Sequence, residues 1–271
     1  MSAYNHLLTF KSKIKIIGKV KLKTALHIGS QRSIDPIESD NPVIKDNDGK
    51  PFIPGSSFKG AIRSAMESLL EGLNKKVCHP TEDVYCIKKE DWRDINKVLN
   101  SDVCLLCKFM GSPYLASKTK FHDMPLFHKN MDLSNLLQER DGVAIDREYL
   151  SAAPKKKYDF ETVTPGWEFD LQVLIDNPED YELGLLFTVF DLFNEGLFTL
   201  GGNSSRGLGL IEIEILQIDR WTADKLKEAF EKDVEEISPE RYDKTSDIDN
   251  YMKKMKEAFK KWVKTSSQKE G

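Results

Sequence analysis

The sequence predicts an α+β fold, and three observations lead to it. Residues 13–28 alternate isoleucine, valine or leucine with lysine over much of their length, which is typical of a strand with one buried face. Apolar residues in 58–73 and 183–197 recur at helical spacing. Strand-like segments at 117–126, 160–175 and 208–218 follow these elements in turn, so the order is strand, helix, strand, strand, helix, strand. This is the ferredoxin-like order, which RNA-recognition domains also use.

The boundaries of these elements follow from local signals. The first helix begins after Pro54-Gly55, where Ser56 or Ser57 can cap it. Two short apolar runs around Asn-Asp-Gly within 43–53 indicate a hairpin. The polar residues 128–158 predict a protruding loop or hairpin, and two amphipathic helices are expected near 223–236 and 248–263.

Composition excludes several classes of protein. The chain has 271 residues, of which 39% are hydrophobic and 31% charged, so it can bury a substantial core and is not disordered. No apolar run approaches the ~18 residues of a membrane span. The N-terminus lacks the apolar core and cleavage site of a signal peptide, so a cytoplasmic protein without membrane partners is expected.

Charge is unevenly distributed along the chain. The net charge is −4, which alone argues weakly against a nucleic-acid binder. Residues 1–76, however, hold 13 Lys/Arg and 7 Asp/Glu, whereas residues 77–216 hold 14 and 24. Polyanion binding depends on local potential, so the basic first segment is a candidate RNA surface. The alternative is an ordinary solvated face of a lysine-rich strand.

All four cysteines lie within 30 residues, as Cys78-x7-Cys86-x17-Cys104-x2-Cys107. Without an export signal a disulfide framework is not expected, and this clustering predicts a structural zinc site with four thiolate ligands. His79 could replace Cys78, and four buried free thiols are the alternative. Four cysteine ligands leave no open position for a catalytic zinc.

Two segments have the composition of anion sites. The loop 201–209 holds four glycines, whose backbone can approach a phosphate closely, and Arg206 could clamp that phosphate. Ser56 and Ser57 lie at a helix start, with Lys59 and Arg63 within the next two turns. A flexible connection and an ordinary capped helix are the respective alternatives.

Acidic residues cluster in the first loop. Asp35, Glu38, Asp40 and Asp46 could supply a carboxylate that takes a proton or holds Mg²⁺ near a phosphate, although acidic loop residues are usually only solvated. His27 ends the first strand beside Gly29 and could contact RNA or pack in the interior.

Several strings together resemble the RAMP superfamily of CRISPR-associated proteins, and more narrowly the repeating backbone subunits of type III effector complexes of the Csm or Cmr type in their zinc-bearing variant. The strings, in family order, are Leu26-His27-Ile28-Gly29, Asp40-Asn41-Pro42-Val43-Ile44-Lys45-Asp46, Ile53-Pro54-Gly55-Ser56-Ser57-Phe58-Lys59-Gly60-Ala61-Ile62-Arg63, Cys104-Leu105-Leu106-Cys107-Lys108-Phe109-Met110-Gly111-Ser112, Ile145-Asp146-Arg147 and the loop 201–209. The resemblance covers residues 13–216 and leaves out the C-terminal helices.

The resemblance implies a palm domain at 1–216 with two inserted elements and a helical extension at 217–271. The insertions are a zinc-binding segment at about 74–112 and a thumb at about 128–160, which would pass through the duplex of guide and target. The implied RNA contacts are His27, Gly29, Ser56, Ser57, Lys59, Arg63, Arg147, Lys155, Lys156, Lys157, Gly201, Gly202, Ser204, Ser205 and Arg206.

The resemblance also implies an activity. Asp40 occupies the position of the aspartate of the target-cleaving subunits, with Asp35 as a second candidate, and Mg²⁺ or a similar divalent ion would assist cleavage. The expected partners are CRISPR guide RNA, complementary target RNA and other RAMP-type subunits, which can include copies of this chain. A catalytically inactive backbone subunit is one alternative. A stand-alone nuclease that processes precursor guide RNA, with His27 as its base, is another.

Overall fold

The computed structural model describes residues 9–30, 41–79, 86–87, 94, 103–127, 133–146, 151–231 and 238–266, with the backbone alone described for 143–146 and 151–157. Within these ranges the chain forms one large antiparallel sheet, a separate hairpin and five α-helices.

The large sheet consists of antiparallel strands around a central strand, β1 (Ser12–Leu22). Strand β1 lies between β6 (Glu168–Asp176) and β7 (Ile211–Thr222). Outside β6 lie β2 (Thr119–Phe121) and β3 (Leu126–Phe127), and outside β7 lies β8 (Glu240–Tyr242). The order β2-β6-β1-β7-β8 therefore places the first strand of the chain at the centre of the sheet.

Strand β1 keeps a strict two-residue period because the β-bulge in its pairing with β7 places the extra residue on β7. Ile14, Ile16 and Val20 are buried, while the alternating lysines stay partly or fully exposed. The pairing with β7 shifts by one residue between Ile17 and Gly18. A Cβ at Gly18 would lie 2.2 Å from the carbonyl oxygen of Glu214, so glycine is the residue that admits this bulge.

The helices cover one face of the sheet in two layers. Helix α1 (Gly55–Gly72) buries Phe58, Ile62, Ala65, Met66 and Leu70, and a short helix α2 (Leu105–Met110) packs near it. Helix α3 (Asp180–Asn194) is buried on nearly all sides. A helix that is apolar all round needs cover on both faces, and α5 (Thr245–Ser266) supplies the outer cover. Helix α4 (Ala223–Glu231) has no buried residue.

The separate hairpin consists of β4 (Leu137–Asp146) and β5 (Ser151–Val163). Its base joins the main body where Leu26 pairs with Val163 through two backbone hydrogen bonds, Leu26 N to Val163 O at 2.9 Å and Val163 N to Leu26 O at 2.8 Å. Of the loop or hairpin predicted at 128–158, the structure forms a hairpin, with strands at 137–146 and 151–163.

The mixed α and β composition with an antiparallel sheet confirms the predicted fold class at that level. Three details of the prediction are wrong. The first strand ends at Leu22, so His27 lies in an irregular segment beyond it. The single strand predicted at 117–126 is two short strands, and β8 was not predicted. In the described part of the chain, no helix is both long and apolar enough to cross a membrane.

Candidate nucleic-acid groove and metal centre

An open groove of about 700 Å³ lies where three segments of the chain meet. Each of these segments was identified separately in the sequence. They are the segment after β1, one face of α1 and the glycine-rich loop after α3. The groove-lining residues are His27, Ile28, Gly29, Ser57, Gly60, Ala61, Ser64, Ala65, Leu197, Phe198, Thr199, Gly201 and Gly202. The fold thus brings together two predicted anion-binding segments and the predicted RNA-contacting histidine.

His27 is held in one orientation by the hairpin. Its Nδ1 lies 2.7 Å from the carbonyl oxygen of Glu161, and its ring packs edge-on against Phe160 at 5.6 Å between centroids. A carbonyl can only accept, so Nδ1 carries the proton and Nε2 of the neutral ring is an acceptor. The Cδ2–Nε2 edge runs beside Gly29 and Gly202, at 3.3–3.4 Å from where their Cβ atoms would stand. An acceptor nitrogen therefore borders the groove.

The glycine-rich loop needs its glycines for close packing against the chain beyond β1. Gly201 and Gly209 have φ angles of 81° and 85°, which favour glycine. A Cβ at Gly201 would lie 2.4 Å from the carbonyl oxygen of His27, and that oxygen accepts the Gly202 amide at 2.8 Å. Gly201 and Gly202 are therefore needed to form this wall of the groove.

The same loop keeps donors for a ligand. Ser204–Arg206 forms one turn of 3-10 helix, and within the described residues the amides of Ser204 and Ser205 have no hydrogen-bond acceptor. Arg206 is exposed and donates through Nη1 to the Tyr158 hydroxyl on β5. Tyr158 in turn packs against Gly142 of β4, where a Cβ would lie 2.3 Å from its ring. Arg206 thus connects the loop to the hairpin.

Helix α1 presents two different faces. Ser57, Gly60, Ala61 and Ser64 line the groove, so this wall is small and uncharged. Lys59 instead donates to Ser117 Oγ at 2.9 Å and to the Thr119 carbonyl at 3.4 Å. Burial, followed by the charge of Arg63, lowers the pKa of Lys59.

Arg63 lies on the same side of α1 as Lys59. It donates to Glu67 Oε1 at 2.9 Å and to the Gly111 carbonyl at 2.8 Å. Both predicted cations therefore have protein partners on the side of the helix away from the groove-lining residues.

The remaining predicted site residues are only partly described. Asp35, Asp40 and Arg147 lie outside the described residues, and Lys155, Lys156 and Lys157 lie on β5 with their side chains undescribed. Asn41, the neighbour of Asp40 in the chain, is fixed to the hairpin. Its carbonyl accepts the Glu161 amide at 3.0 Å, and its Nδ2 donates to the Asp159 carbonyl at 2.9 Å.

Sequence reasoning missed an acidic patch on this part of the hairpin. Glu139 pairs across the strands with Glu161, and Asp141 pairs with Asp159. Like charges opposite each other are unfavourable. A hydrogen bond with Asp159, and then its charge, raise the pKa of Glu139. The signal was present as alternating acids in residues 139–141 and 159–161, but their pairing depends on the hairpin register.

Two of the four lysines on the basic face predicted for the first strand are paired with carboxylates. Lys13 pairs with Asp176 at 3.0 Å, and Lys19 pairs with Glu168 at 3.1 Å. The neighbouring strands are acid-rich because the chain from 77 to 216 carries the excess of carboxylates. The lysines of β1 therefore form a mixed-charge surface with their neighbours.

The four predicted cysteine ligands converge at one point. The Sγ atoms of Cys78, Cys86, Cys104 and Cys107 all lie within 4.8 Å of one another. Tetrahedral zinc with bonds of about 2.3 Å requires sulfur atoms about 3.8 Å apart, so one ion fits this set. The Cys104 amide donates to Cys86 Sγ at 3.1 Å, and the Cys107 amide donates to Cys104 Sγ at 3.4 Å. Such N–H donors are the partners that thiolates need.

Burial makes this cluster unfavourable for thiolates unless a cation joins them. Cys78 and Cys107 are 2% and 1% exposed. Burial, reinforced by its contact with Cys86, raises the pKa of Cys78 to about 12. The hydrogen bond with Cys104 raises the pKa of Cys107, and the same partner lowers the pKa of Cys86. A divalent ion would reverse this balance because it binds the deprotonated form.

Comparison with known proteins places the chain in a family. The profile of the RAMP superfamily matches residues 19–212, which hold the whole groove and the hairpin. The chain belongs to the RAMP superfamily. This confirms the resemblance read from the sequence.

Several curated relatives carry the name CRISPR system Cms endoribonuclease Csm3. The protein of that name from Methanocaldococcus jannaschii is 29% identical over 78% of this chain and 82% of its own length. Those from Enterococcus italicus and Streptococcus thermophilus are 26% and 29% identical, over 79% and 76% of this chain and 95% and 89% of their own lengths.

Proposed function

We propose that the chain is an RNA-binding backbone subunit of a type III CRISPR interference complex, and that it cleaves target RNA complementary to the guide. The observation that carries this proposal is the groove between His27, α1 and the glycine-rich loop. Family membership and relatives named as CRISPR endoribonucleases support the same class. The partners would be guide RNA, target RNA and other RAMP-type subunits, copies of this chain among them.

The groove suits the backbone of single-stranded RNA. Its α1 wall is made of Ser57, Gly60, Ala61 and Ser64, so a chain of riboses and phosphates can approach the helix closely. Gly201 and Gly202 of the glycine-rich loop form its other wall. The same loop continues to Ser204 and Ser205, whose backbone amides are donors that a phosphate can accept. The acceptor Nε2 of His27 can receive a ribose 2′-hydroxyl proton, a contact that DNA cannot make.

A matched pair of glycines tests the groove directly. Gly60 and Gly72 both lie on α1, and a Cβ at either would meet nothing within 4 Å. Gly60→Leu would project a side chain into the groove, whereas Gly72→Leu lies outside it. Both changes should raise helix stability by up to about 1 kcal/mol. Only Gly60→Leu should weaken binding of guide RNA, and equal affinity of both variants would refute the groove as the RNA site.

The remaining RNA contacts are proposals from the family resemblance. Gly29, Ser56, Lys59, Arg63, Arg147 and the lysines 155–157 would complete the path of the guide. Lys59 and Arg63 already hold Ser117 and Gly111, so they must rearrange to reach RNA. If both bind phosphate, alanine at either position should lower the salt slope of binding by about 0.7, besides any loss of stability.

Asp40 is proposed as the catalytic carboxylate, with Asp35 second, and Mg²⁺ or a similar ion as its helper. Asn41, the residue that follows Asp40, is hydrogen-bonded to the base of the hairpin. This placement supports cleavage beside that hairpin. The hairpin would act as a thumb that displaces a target nucleotide. Displacement would let the 2′-oxygen, phosphorus and leaving oxygen align, and one carboxylate would then contribute about 10²–10⁴-fold.

His27 supports a second candidate function, cleavage of precursor guide RNA. Its Nε2 borders the groove, and in the neutral ring whose Nδ1 donates to the Glu161 carbonyl this nitrogen can take a proton from a 2′-hydroxyl. Cleavage of repeat RNA by the isolated chain, abolished by His27→Ala, would favour this function. Cleavage only of guide-paired RNA by the assembled complex would favour the first.

The cysteine cluster is proposed to hold a structural zinc ion. The charge and softness of the four sulfur donors fit zinc. Four protein ligands would leave no open coordination position for a substrate or water. The sheet order β7-β1-β6-β2 with α1 and α3 on one face supports a ferredoxin-like palm.

A further inference from the structure

One leucine just beyond helix α3 is exposed inside the groove. Leu197 is 68% exposed, and among the described residues that line the groove it is the one large apolar side chain that is exposed. A single exposed apolar residue is ordinary on a protein surface. Leu197 differs from such a residue in two respects, which are the rigidity of its backbone and the chemistry of the groove around it.

The backbone of Leu197 is fixed by the turn that ends α3. Gly196 has a φ angle of 74°, which favours glycine, and its amide donates to the Phe193 carbonyl at 2.9 Å. The Leu197 amide donates to the Leu192 carbonyl at 3.0 Å. These two bonds form a Schellman motif, in which the residue at the position of Leu197 commonly packs back against the helix. Leu197 stays exposed instead, so its side chain is available to a ligand in the groove.

Neighbouring contacts hold the same turn in place. Before the turn, the Asn194 side chain donates to the Ile213 carbonyl of β7 at 3.0 Å and accepts the Ile213 amide at 2.6 Å. After the turn, the ring of Phe198 packs against that of Phe193, with 5.8 Å between the centroids. Because the backbone around Leu197 is already ordered, a ligand can contact its side chain at a small cost in conformational entropy.

The groove has an apolar part, which consists of Ile28, Ala61, Leu197 and Phe198. Three of these side chains are half-buried and pack against the core, so Leu197 is the member that extends furthest into solvent. The rest of the lining is mostly polar or backbone and includes His27 and Ser57. The groove therefore offers two kinds of surface to one ligand.

A nucleotide has the same two kinds of surface. Its base presents apolar faces, whereas its ribose and phosphate are polar. A phosphate against Leu197 would lose hydration without gaining a hydrogen bond, and a base face would not incur this penalty. With about 700 Å³, the groove is of the size of sites that enclose a whole small ligand, so it has room for a base as well as its ribose.

We propose that the apolar part of the groove contacts a base of the bound RNA, and that Leu197 is the residue that positions this base. The inference rests on the proposed function, because the ribose and phosphate of the same strand would occupy the polar part. Every base has an apolar face, so the contact would not select sequence. It would distinguish RNA that carries bases from the same backbone without them.

The test compares two leucine-sized apolar side chains that are similarly exposed. Leu197→Ser removes the one in the groove, and Phe230→Ser removes one on α4 that is 72% exposed and is not among the groove-lining residues. The probes are a single-stranded oligoadenylate of about 12 nucleotides and an abasic RNA of the same length. The measured quantity is the base ratio, which is the affinity for the oligoadenylate divided by the affinity for the abasic RNA.

Leu197→Ser should lower the base ratio about three- to tenfold, because an apolar contact with the base is lost. Phe230→Ser should leave the base ratio unchanged, and Leu197→Met should retain it because methionine keeps the apolar surface. The slope of log affinity against log salt should stay the same in all three variants, since no phosphate contact is altered. Thermal unfolding should also be unchanged by Leu197→Ser, because the side chain is exposed.

Equal base ratios for Leu197→Ser and Phe230→Ser would overturn the inference, and this outcome includes the case in which Leu197 is covered by a protein partner. The Gly60→Leu variant separates this inference from the proposed function. If Gly60→Leu binds both RNAs as the unaltered chain does, the groove proposal fails. If Gly60→Leu weakens binding of both RNAs while Leu197→Ser keeps the unaltered base ratio, only the role of Leu197 fails.

Discussion

His27 Nδ1 donates to the carbonyl oxygen of Glu161 across 2.7 Å, and this bond joins the segment after β1 to the base of the hairpin. It fixes the tautomer of the ring, so Nε2 presents a lone pair along the groove. The hairpin therefore controls the chemistry of a groove residue 134 positions away in sequence.

His27→Ala should weaken binding of RNA more than binding of the same RNA with 2′-deoxy substitution in the bound segment. The reason is that only the ribose offers a hydroxyl to Nε2, and one such bond contributes about 0.5–1.5 kcal/mol. Affinities of both ligands, measured with both proteins, check this. An equal loss for the ribose and deoxyribose ligands would contradict the assigned contact.

Lys118→Met should destabilise the fold by about 3–5 kcal/mol, because it leaves Glu182 buried without its cation. Lys118 Nζ lies 2.7 Å from Glu182 Oε2, and the two residues are 6% and 1% exposed. Lys120→Met is the matched control, since Lys120 pairs with Asp176 at the surface and should cost about 1 kcal/mol or less. Denaturant unfolding of both variants measures the difference.

The same variant has a predicted pH dependence. Burial already raises the pKa of Glu182, and removal of the Lys118 charge raises it further. A carboxyl whose folded-state pKa lies above its unfolded value loses stability as pH rises through and above the unfolded value. The stability deficit of Lys118→Met should therefore be larger at pH 8 than at pH 5. A deficit independent of pH would show that Glu182 is not charged in the fold.

Cys107→Ser should release the bound metal and destabilise the segment 74–112 while the sheet persists. The remaining three thiolates cannot close a tetrahedral structural site. Metal analysis should find near-stoichiometric zinc in the unaltered protein and far less in the variant. Because zinc displaces thiol protons, its affinity should also fall as pH is lowered. Absence of zinc from the unaltered protein would contradict the metal assignment.

Gly184→Ala should separate α5 from α3, because the added Cβ would lie 2.1 Å from the Met255 carbonyl oxygen. Such overpacking typically costs about 1–3 kcal/mol. Gly72→Ala, which meets nothing within 4 Å, should instead be neutral or stabilising. Thermal unfolding of both proteins checks this. Equal melting temperatures would mean that α5 does not pack closely on α3.

Elements with a strong period were predictable from the sequence. Helix α1, helix α3 and β1 follow directly from the spacing of their apolar residues, and the cysteine cluster follows from the spacing of four ligands. The groove was predictable only as separate segments, because no local sequence pattern indicates that His27 and Gly202 are in contact. Their contact depends on a tight approach of backbones that only the folded chain defines.

Side-chain partners were the least predictable part. The sequence suggested that Lys59 and Arg63 form one anion site with two serines. A helix turns by 100° per residue, however, and this rotation places both cations on the side away from Ser57. Likewise, the acidic partners of Lys13 and Lys19 come from β6, about 150 to 160 residues further along the chain. Their proximity depends on strand order, which hydrophobic pattern alone does not specify.

The most direct measurement is target cleavage by a complex assembled with guide RNA and Asp40→Ala, in Mg²⁺, beside the same complex with Asp35→Ala. Labelled complementary RNA reports both binding and cutting. The account predicts that Asp40→Ala slows cleavage at every regularly spaced site by about 10²–10⁴-fold while guide and target binding stay near normal. Unchanged cleavage by the Asp40→Ala complex would contradict it, and loss confined to Asp35→Ala would move the catalytic role to that residue.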